Sequence, residues 1–316
     1  MAVMAPLTRV TPGSENHKLQ NIVVHSLCLT AVTLVVMMRL YTRIRITRAT
    51  MGLDDYCCLC SYCLTIAYSA MVIKSFTMGM GSHMWDVPSG SFPVALMYID
   101  IASYIYIVLT GSIKLTFLLF YRRIFAQQGM ARLLIDLGIG FVSCLSTVLF
   151  LVNLFSCTPI QRTWDASTPG HCLNRVPIAY VSAASSAVTD FYVLLLPLPL
   201  IWRLNLHLAR KLRAMAVFGL GLLACIASLI RLALTGLLQD DVVDATWIMS
   251  KFIVWATVEV YVGIICACLM LLPAFISHVV PQAANKAVSH LWARVLGCLS
   301  RQAPDANKYP TINLQP

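Results

Sequence analysis

Long, nearly uninterrupted apolar stretches recur along the chain, and no other feature of the sequence limits its possible folds so tightly. Seven stand out, at 19–41, 53–76, 95–120, 133–156, 177–202, 212–238 and 247–276. Each is long enough to cross a hydrocarbon core ~30 Å thick, with some tilt. Inside lipid every backbone N–H and C=O must find its partner within the protein, so spans are helices or closed barrels. Barrel strands are short and alternate apolar with polar residues, a pattern this chain lacks. The expected fold class is therefore all-α: a polytopic membrane protein built as a seven-transmembrane helix bundle. Composition agrees. Hydrophobic residues make up 59% of the chain and charged residues 11%, against roughly 45–50% and 25% in soluble domains. That balance excludes a soluble enzyme and a nucleic-acid-binding domain, and makes membrane lipids the first expected partner.

The net charge of +10 reads as topology. Loop one carries Arg43, Arg45 and Arg48, loop three Arg122, Arg123 and Arg132, and loop five Arg203, Arg210, Lys211 and Arg213. Loops two, four and six offer only Arg162 and Arg175, and loop six holds Asp240, Asp241 and Asp244. Basic residues collect in cytoplasmic loops. The N-terminus is accordingly expected outside and the C-terminus inside, with the basic inner loops available to a cytoplasmic partner. Residues 1–18 are read as a short extracytoplasmic segment without a removable signal peptide, and 19–276 as the seven-span domain. Within 282–300, Ala284, Ala287, Val288, Leu291, Trp292, Val295 and Leu299 recur at helical spacing, with Lys286, His290 and Arg294 on other sides. That pattern predicts an amphipathic helix on the inner membrane surface. Residues 304–316 are read as a disordered tail.

Four ionisable residues fall well inside spans: Lys114, Asp190, Arg231 and Glu259. Each costs ~2.5–3.5 kcal/mol on insertion scales, so each is expected to face the bundle interior with a partner. At 1.5 Å per residue, Asp190 and Glu259 lie roughly 18–20 Å below the outer surface, Lys114 about 25 Å and Arg231 about 10 Å. The depths suggest Lys114 with Asp190 and Arg231 with Glu259. Two readings stay open: ion pairs that fix helix packing, or the wall of a polar pocket in which Asp190 or Glu259 acts as a general acid. Tyr104 and Trp255 are added to the pocket list.

In the second loop, His83, Trp85 and Asp86 follow Gly79 and Gly81 and are read either as an interfacial anchor and helix cap or as a gate at the pocket mouth. Cys157 and Cys172 bracket a short outer loop on the oxidising side, where a disulfide is expected, reduced thiols being the alternative. Cys57, Cys58, Cys60 and Cys63 invite a metal reading. On a helix Cys57 and Cys58 point about 100° apart, so the four cannot converge on a tetrahedral ion. No metal and no cofactor are expected.

Several motifs resemble the fungal rhodopsin-domain membrane proteins, including the satratoxin-cluster type. They run from Gly52-Leu53-Asp54-Asp55 and Gly79-Met80-Gly81-Ser82-His83-Met84-Trp85-Asp86 through Phe120-Tyr121-Arg122-Arg123-Ile124-Phe125. Cys157-Thr158-Pro159, Trp164-Asp165, Gly170-His171-Cys172, Thr189-Asp190, Leu196-Pro197-Leu198-Pro199, Ser228-Leu229-Ile230-Arg231 and Val258-Glu259-Val260 continue the resemblance. In two places the chain departs from it. An Asn usual before the span-five Asp gives way to Ser185, Ser186 and Ala187, and Met270, Leu271 and Leu272 stand where Pro and Arg are usual. The resemblance implies a multi-pass protein of fungal secondary metabolism, such as mycotoxin biosynthesis, or of sensing, in the endoplasmic reticulum or the plasma membrane. Retinal is not expected, because the only Lys of span seven is Lys251, about one turn from its outer end. Two functions remain open. One is a biosynthetic protein that binds a lipophilic small molecule and carries out an acid-assisted cyclisation; the other is a non-retinal, receptor-like sensor or transport accessory. Whether the chain is an enzyme is left open.

Overall fold

A computed structural model describes residues 17–47, 51–81, 90–125, 129–164, 167–198, 208–237 and 245–271. The candidate gate His83, Trp85 and Asp86 lies outside the described residues, as do 282–300, 304–316 and all but the end of 1–18. The described residues form seven helices long and apolar enough to cross a membrane. These are α1 (His17–Tyr41), α2 (Leu53–Thr77), α3 (Phe92–Ile124), α4 (Gly129–Leu154), α5 (Arg175–Leu195), α6 (Leu208–Leu237) and α7 (Ala245–Leu269). The chain is a multi-pass integral membrane protein.

Most helix ends fall within a few residues of the apolar runs. Spans five and seven end earlier than expected: α5 stops at Leu195 rather than continuing to 202, and α7 at Leu269 rather than 276. In span five Pro197 has no N–H to donate to the carbonyl one turn back, so the hydrogen-bond ladder breaks there although Leu196 itself keeps helical angles (φ −55°, ψ −44°). At the other end of α5, the Asn174 side chain accepts from the Val176 N–H at 3.1 Å and caps the helix. Loop one is shorter than its sequence suggests, because α1 runs on into a π-helical turn, Thr42–Thr47.

Neighbouring helices pack in sequence order, and α1 closes the ring by packing on both α2 and α7. The long α3 touches α2, α4, α5 and α7, so its side chains line the middle of the bundle. α2 buries a column of small hydroxyls, Ser61, Thr65 and Ser69, facing its neighbours. Each hydroxyl donates to the carbonyl one turn back, which satisfies it without water. Small side chains also allow close helix approach, the usual basis of helix packing in lipid. The turn after α2 uses positive φ at Gly79 (119°) and Gly81 (84°), which only glycine adopts freely.

On the other side of the loop order, β1 (Cys157–Thr158) and β2 (His171–Cys172) form a small antiparallel hairpin. A disulfide joins Cys157 to Cys172 across it. The four clustered cysteines of α2 do not converge. Cys58 is buried with its sulfur 3.6 Å from that of Cys268, while Cys60 and Cys63 are exposed on the bundle surface.

Candidate functional site

The intramembrane charges come together in one connected network. Lys114 on α3 lies 3.1 Å from Asp190 on α5, and Arg231 on α6 donates through Nε to Glu259 on α7 at 2.9 Å. The Lys114 ammonium also donates to Thr189 Oγ1 at 2.7 Å and lies 3.0 Å from both oxygens of Ser186. Ser228 Oγ donates to the second oxygen of Asp190.

Ser186 connects the two pairs. Its hydroxyl accepts from Lys114 and donates to Glu259 Oε1 at 3.0 Å. This serine sits in the stretch where the resemblance predicts an asparagine, so a shorter side chain fills the bridging role here. The bridge was not legible in the sequence. What signalled it was only the run Ser185-Ser186 three residues from Thr189-Asp190 on an otherwise apolar helix. Two cations face two carboxylates, so the network is neutral overall. Asp190 meets Lys114 and Ser228, while Glu259 meets Arg231 and Ser186, with the Tyr106 hydroxyl beside it. As placed, Asp190 and Glu259 are acceptors, and proton donation would require one of them to leave a partner.

A cavity of about 30 Å³ opens beside this network between α3, α4 and α5. Its polar lining comes from Lys114, Thr110, Ser146, Ser182, Ser185 and Ser186, with Tyr106 at one wall. A water needs roughly 10–15 Å³ of such space, whereas drug-sized ligands take 300–1,000 Å³. At this size the cavity has room for one or two waters. Enlarging it means moving α4 away from α5, where the two helices pack only lightly and α5 offers small side chains.

The two aromatic candidates fall elsewhere. Tyr104 is not on the cavity wall; Tyr106 is. Two residues along a helix turn the side chain by about 200°, so the two tyrosines face different ways. Tyr104 lies one turn from Asp100, which pairs with Arg175 at 2.7 Å. Trp255 is half-buried on α7, one turn from Glu259, and takes no part in the cavity wall.

A second charged cluster escaped the sequence reading. Arg39 and Arg43 clamp Asp54 and Asp55, with four N–O distances of 2.8–3.1 Å and all four side chains buried. Arg39 also donates to the Ala267 carbonyl on α7 at 2.8 Å, and Arg123 at the end of α3 reaches Asp54 at 3.4 Å. The cluster therefore ties α1, α2, α3 and α7 at the basic end of the bundle. Arg43, assigned to loop one by the sequence, is carried inward by the π-helical turn and buried against the carboxylates. Two adjacent aspartates on the basic side were the signal for it. Exposed basic side chains at this end include Arg45 and Arg132; Arg122 is half-exposed and pairs with Asp136 at 3.0 Å.

Residues 38–278 match the model of the fungal rhodopsin domain. This chain belongs to that family. It is similar to a SAT4 family membrane protein of Emericella nidulans, 33% identical over 67% of this chain and 54% of the relative. It is also similar to fugralins biosynthesis cluster protein 2 of Gibberella zeae, 28% identical over 64% of this chain and 52% of the relative. Receptor GIN3 of Arthrobotrys oligospora is 26% identical over 79% of this chain and 60% of the receptor. The chain thus spans about half the length of the curated relatives it matches. No solved structure matches it. The family assignment agrees with the resemblance drawn from the motifs.

Proposed function

We propose that this fungal rhodopsin-domain protein is a membrane-embedded component of secondary-metabolite biosynthesis that binds a lipophilic small molecule between α3, α4 and α5. The observation that carries the reading is the polar wall of Thr110, Lys114, Ser146, Ser182, Ser185 and Ser186 beside a neutral ion-pair network inside lipid-spanning helices. Polar side chains at this depth mark functional sites by default. Relatives named for biosynthesis clusters supply the metabolic context. An acid-assisted cyclisation is the less supported part, because Asp190 and Glu259 both accept from cations. Within that reading, Asp190 is the better candidate, being the more exposed carboxylate (14% against 5%).

The test is a deletion strain profiled by untargeted metabolite analysis and complemented with the wild-type gene. The reading expects one product to disappear and its precursor to build up, both reversed by complementation. An unchanged metabolite profile would overturn it. A second reading, a receptor-like sensor, is favoured by the similarity to a named receptor. It predicts instead that the deletion alters responses to external surfaces or nutrients, and that Arg45→Ala and Arg132→Ala on the basic side reproduce the defect.

A further inference from the structure

We infer that Cys58 and Cys268 form a redox-modification site, a thiol pair that a small hydroperoxide converts to a disulfide joining α2 to α7. The inference goes beyond the binding reading above and does not depend on it. Both side chains are buried, and their sulfurs lie 3.6 Å apart although the residues are 210 positions apart in the chain. A disulfide has an S–S length of roughly 2.05 Å, so closing the bond takes an approach of about 1.5 Å. A buried cysteine is ordinarily an inert packing residue. A second sulfur in contact is what gives this one a reaction.

The neighbours hold the pair in place. Arg39 on α1 donates to the Ala267 carbonyl at 2.8 Å, beside Cys268, and to Asp55 Oδ1 at 2.9 Å, one turn before Cys58. One guanidinium therefore fixes the parts of α2 and α7 that carry the two sulfurs, through charge-assisted bonds of the stronger kind. Cys58 lies roughly 8 Å along α2 from its start, and Cys268 one residue before the end of α7. The pair thus sits near the end of the bundle rather than at mid-membrane. A cavity of about 10 Å³ adjoins it, lined in part by Cys58, Arg39, Arg43 and Asp55. That is room for a polar molecule not much larger than water, which favours hydrogen peroxide over a bulky oxidant such as glutathione disulfide.

The bond closes in two steps. The Cys58 sulfur attacks one oxygen of the peroxide and the O–O bond breaks. Cys58 becomes a sulfenic acid, and its thiol proton leaves with the other oxygen as water. The Cys268 sulfur then attacks the sulfenic sulfur, its proton leaves with the hydroxyl as a second water, and the S–S bond remains. The two thiols give up two electrons, and these reduce one peroxide to two waters. Two thiols of the glutathione class reverse the change by successive exchange. Closed, the bond staples α7, which carries Glu259, to α2.

In the test, the full chain in nanodiscs is exposed to submillimolar hydrogen peroxide, quenched with catalase, unfolded in N-ethylmaleimide and digested without reduction. A peptide pair joined through Cys58 and Cys268 is expected in most of the protein, and glutathione should return both sulfurs to alkylatable thiols. The link should survive Cys57→Ala and vanish in Cys58→Ala and Cys268→Ala, because Cys57 points about 100° away around α2. The oxidised wild type should unfold about 5 °C or more above the reduced protein, since the bond closes a long loop. Cys268→Ala should show no such rise. Recovery of both sulfurs as alkylated thiols after peroxide would overturn the inference and leave the pair as packing alone. Oxidation of Cys58 that stops at the sulfinic acid, or a link from Cys268 to Cys57, Cys60 or Cys63 instead, would overturn it too.

Discussion

Replacing Arg231 by Met should be strongly destabilising, and removing its partner as well should undo much of the damage. Glu259 Oε2 accepts from Arg231 Nε at 2.9 Å, and Oε1 accepts from Ser186 Oγ at 3.0 Å. The two side chains are 2% and 5% exposed, so water cannot take the place of the lost guanidinium. Removing one member of such a pair strands a buried charge, at a cost of ~3–5 kcal/mol. The shift is ~2–4 °C per kcal/mol for 150–250 residues and smaller for this longer chain, so Tm should fall by roughly 5–10 °C. Adding Glu259→Gln removes the stranded charge and keeps the acceptor for Ser186. The double variant should therefore be no less stable than Arg231→Met alone, a coupling of ~3 kcal/mol, near the upper end for residues in contact. The assay is thermal loss of the monodisperse peak in size-exclusion chromatography, for the wild type, both single variants and the double. A double variant that falls by the sum of the two single losses would show that the residues do not act as a pair, and would refute the reasoning.

Other expectations follow from single contacts. The Cys157–Cys172 disulfide spans a sequence separation of 15; Cys157→Ser should cost ~3 kcal/mol by loop-closure entropy, read as a lower Tm than wild type under non-reducing conditions. Gly138→Ala puts a methyl 2.7 Å from the Tyr192 ring and pushes on the hydroxyl that donates to the Leu134 carbonyl at 2.7 Å. That crowding should cost ~1–3 kcal/mol, and Tyr192→Leu in the same background should recover part of it. Glycosylation sequons placed between Cys157 and Cys172 should be modified in cells and sequons near Arg45 should not; the reverse pattern would invert the assigned orientation.

The spans were legible because lipid imposes one simple requirement, a long apolar helix, and the sequence meets it repeatedly. The pairing of Lys114 with Asp190 and Arg231 with Glu259 was legible for a related reason. Few charges sit inside the spans, so depth alone leaves few ways to match them. Span five ran too far on paper because Leu196, Leu198 and Leu200 keep the sequence apolar beyond Leu195, where α5 stops. The Arg39–Asp54 cluster was hidden by its position at the membrane edge, where arginines read as topology and aspartates as loop residues. Ser186 was hidden for another reason. A serine on an apolar helix normally satisfies itself on its own backbone, and only the approach of α3 and α7 turns this one into a bridge. Tyr104 and Tyr106 show the limit of spacing alone, since both are aromatic and only the rotation of α3 decides which one meets the cavity.

The most direct measurement is the metabolite profile of a strain whose only copy carries Ser182→Leu, a change that fills the cavity wall without touching either ion pair. Membrane abundance is followed in parallel, so that loss of the protein is not mistaken for loss of the site. At normal abundance, the account predicts the profile of the deletion strain, with one product missing and its precursor accumulated. A wild-type profile at normal abundance would contradict it and return Lys114, Asp190, Arg231 and Glu259 to a role in helix packing alone.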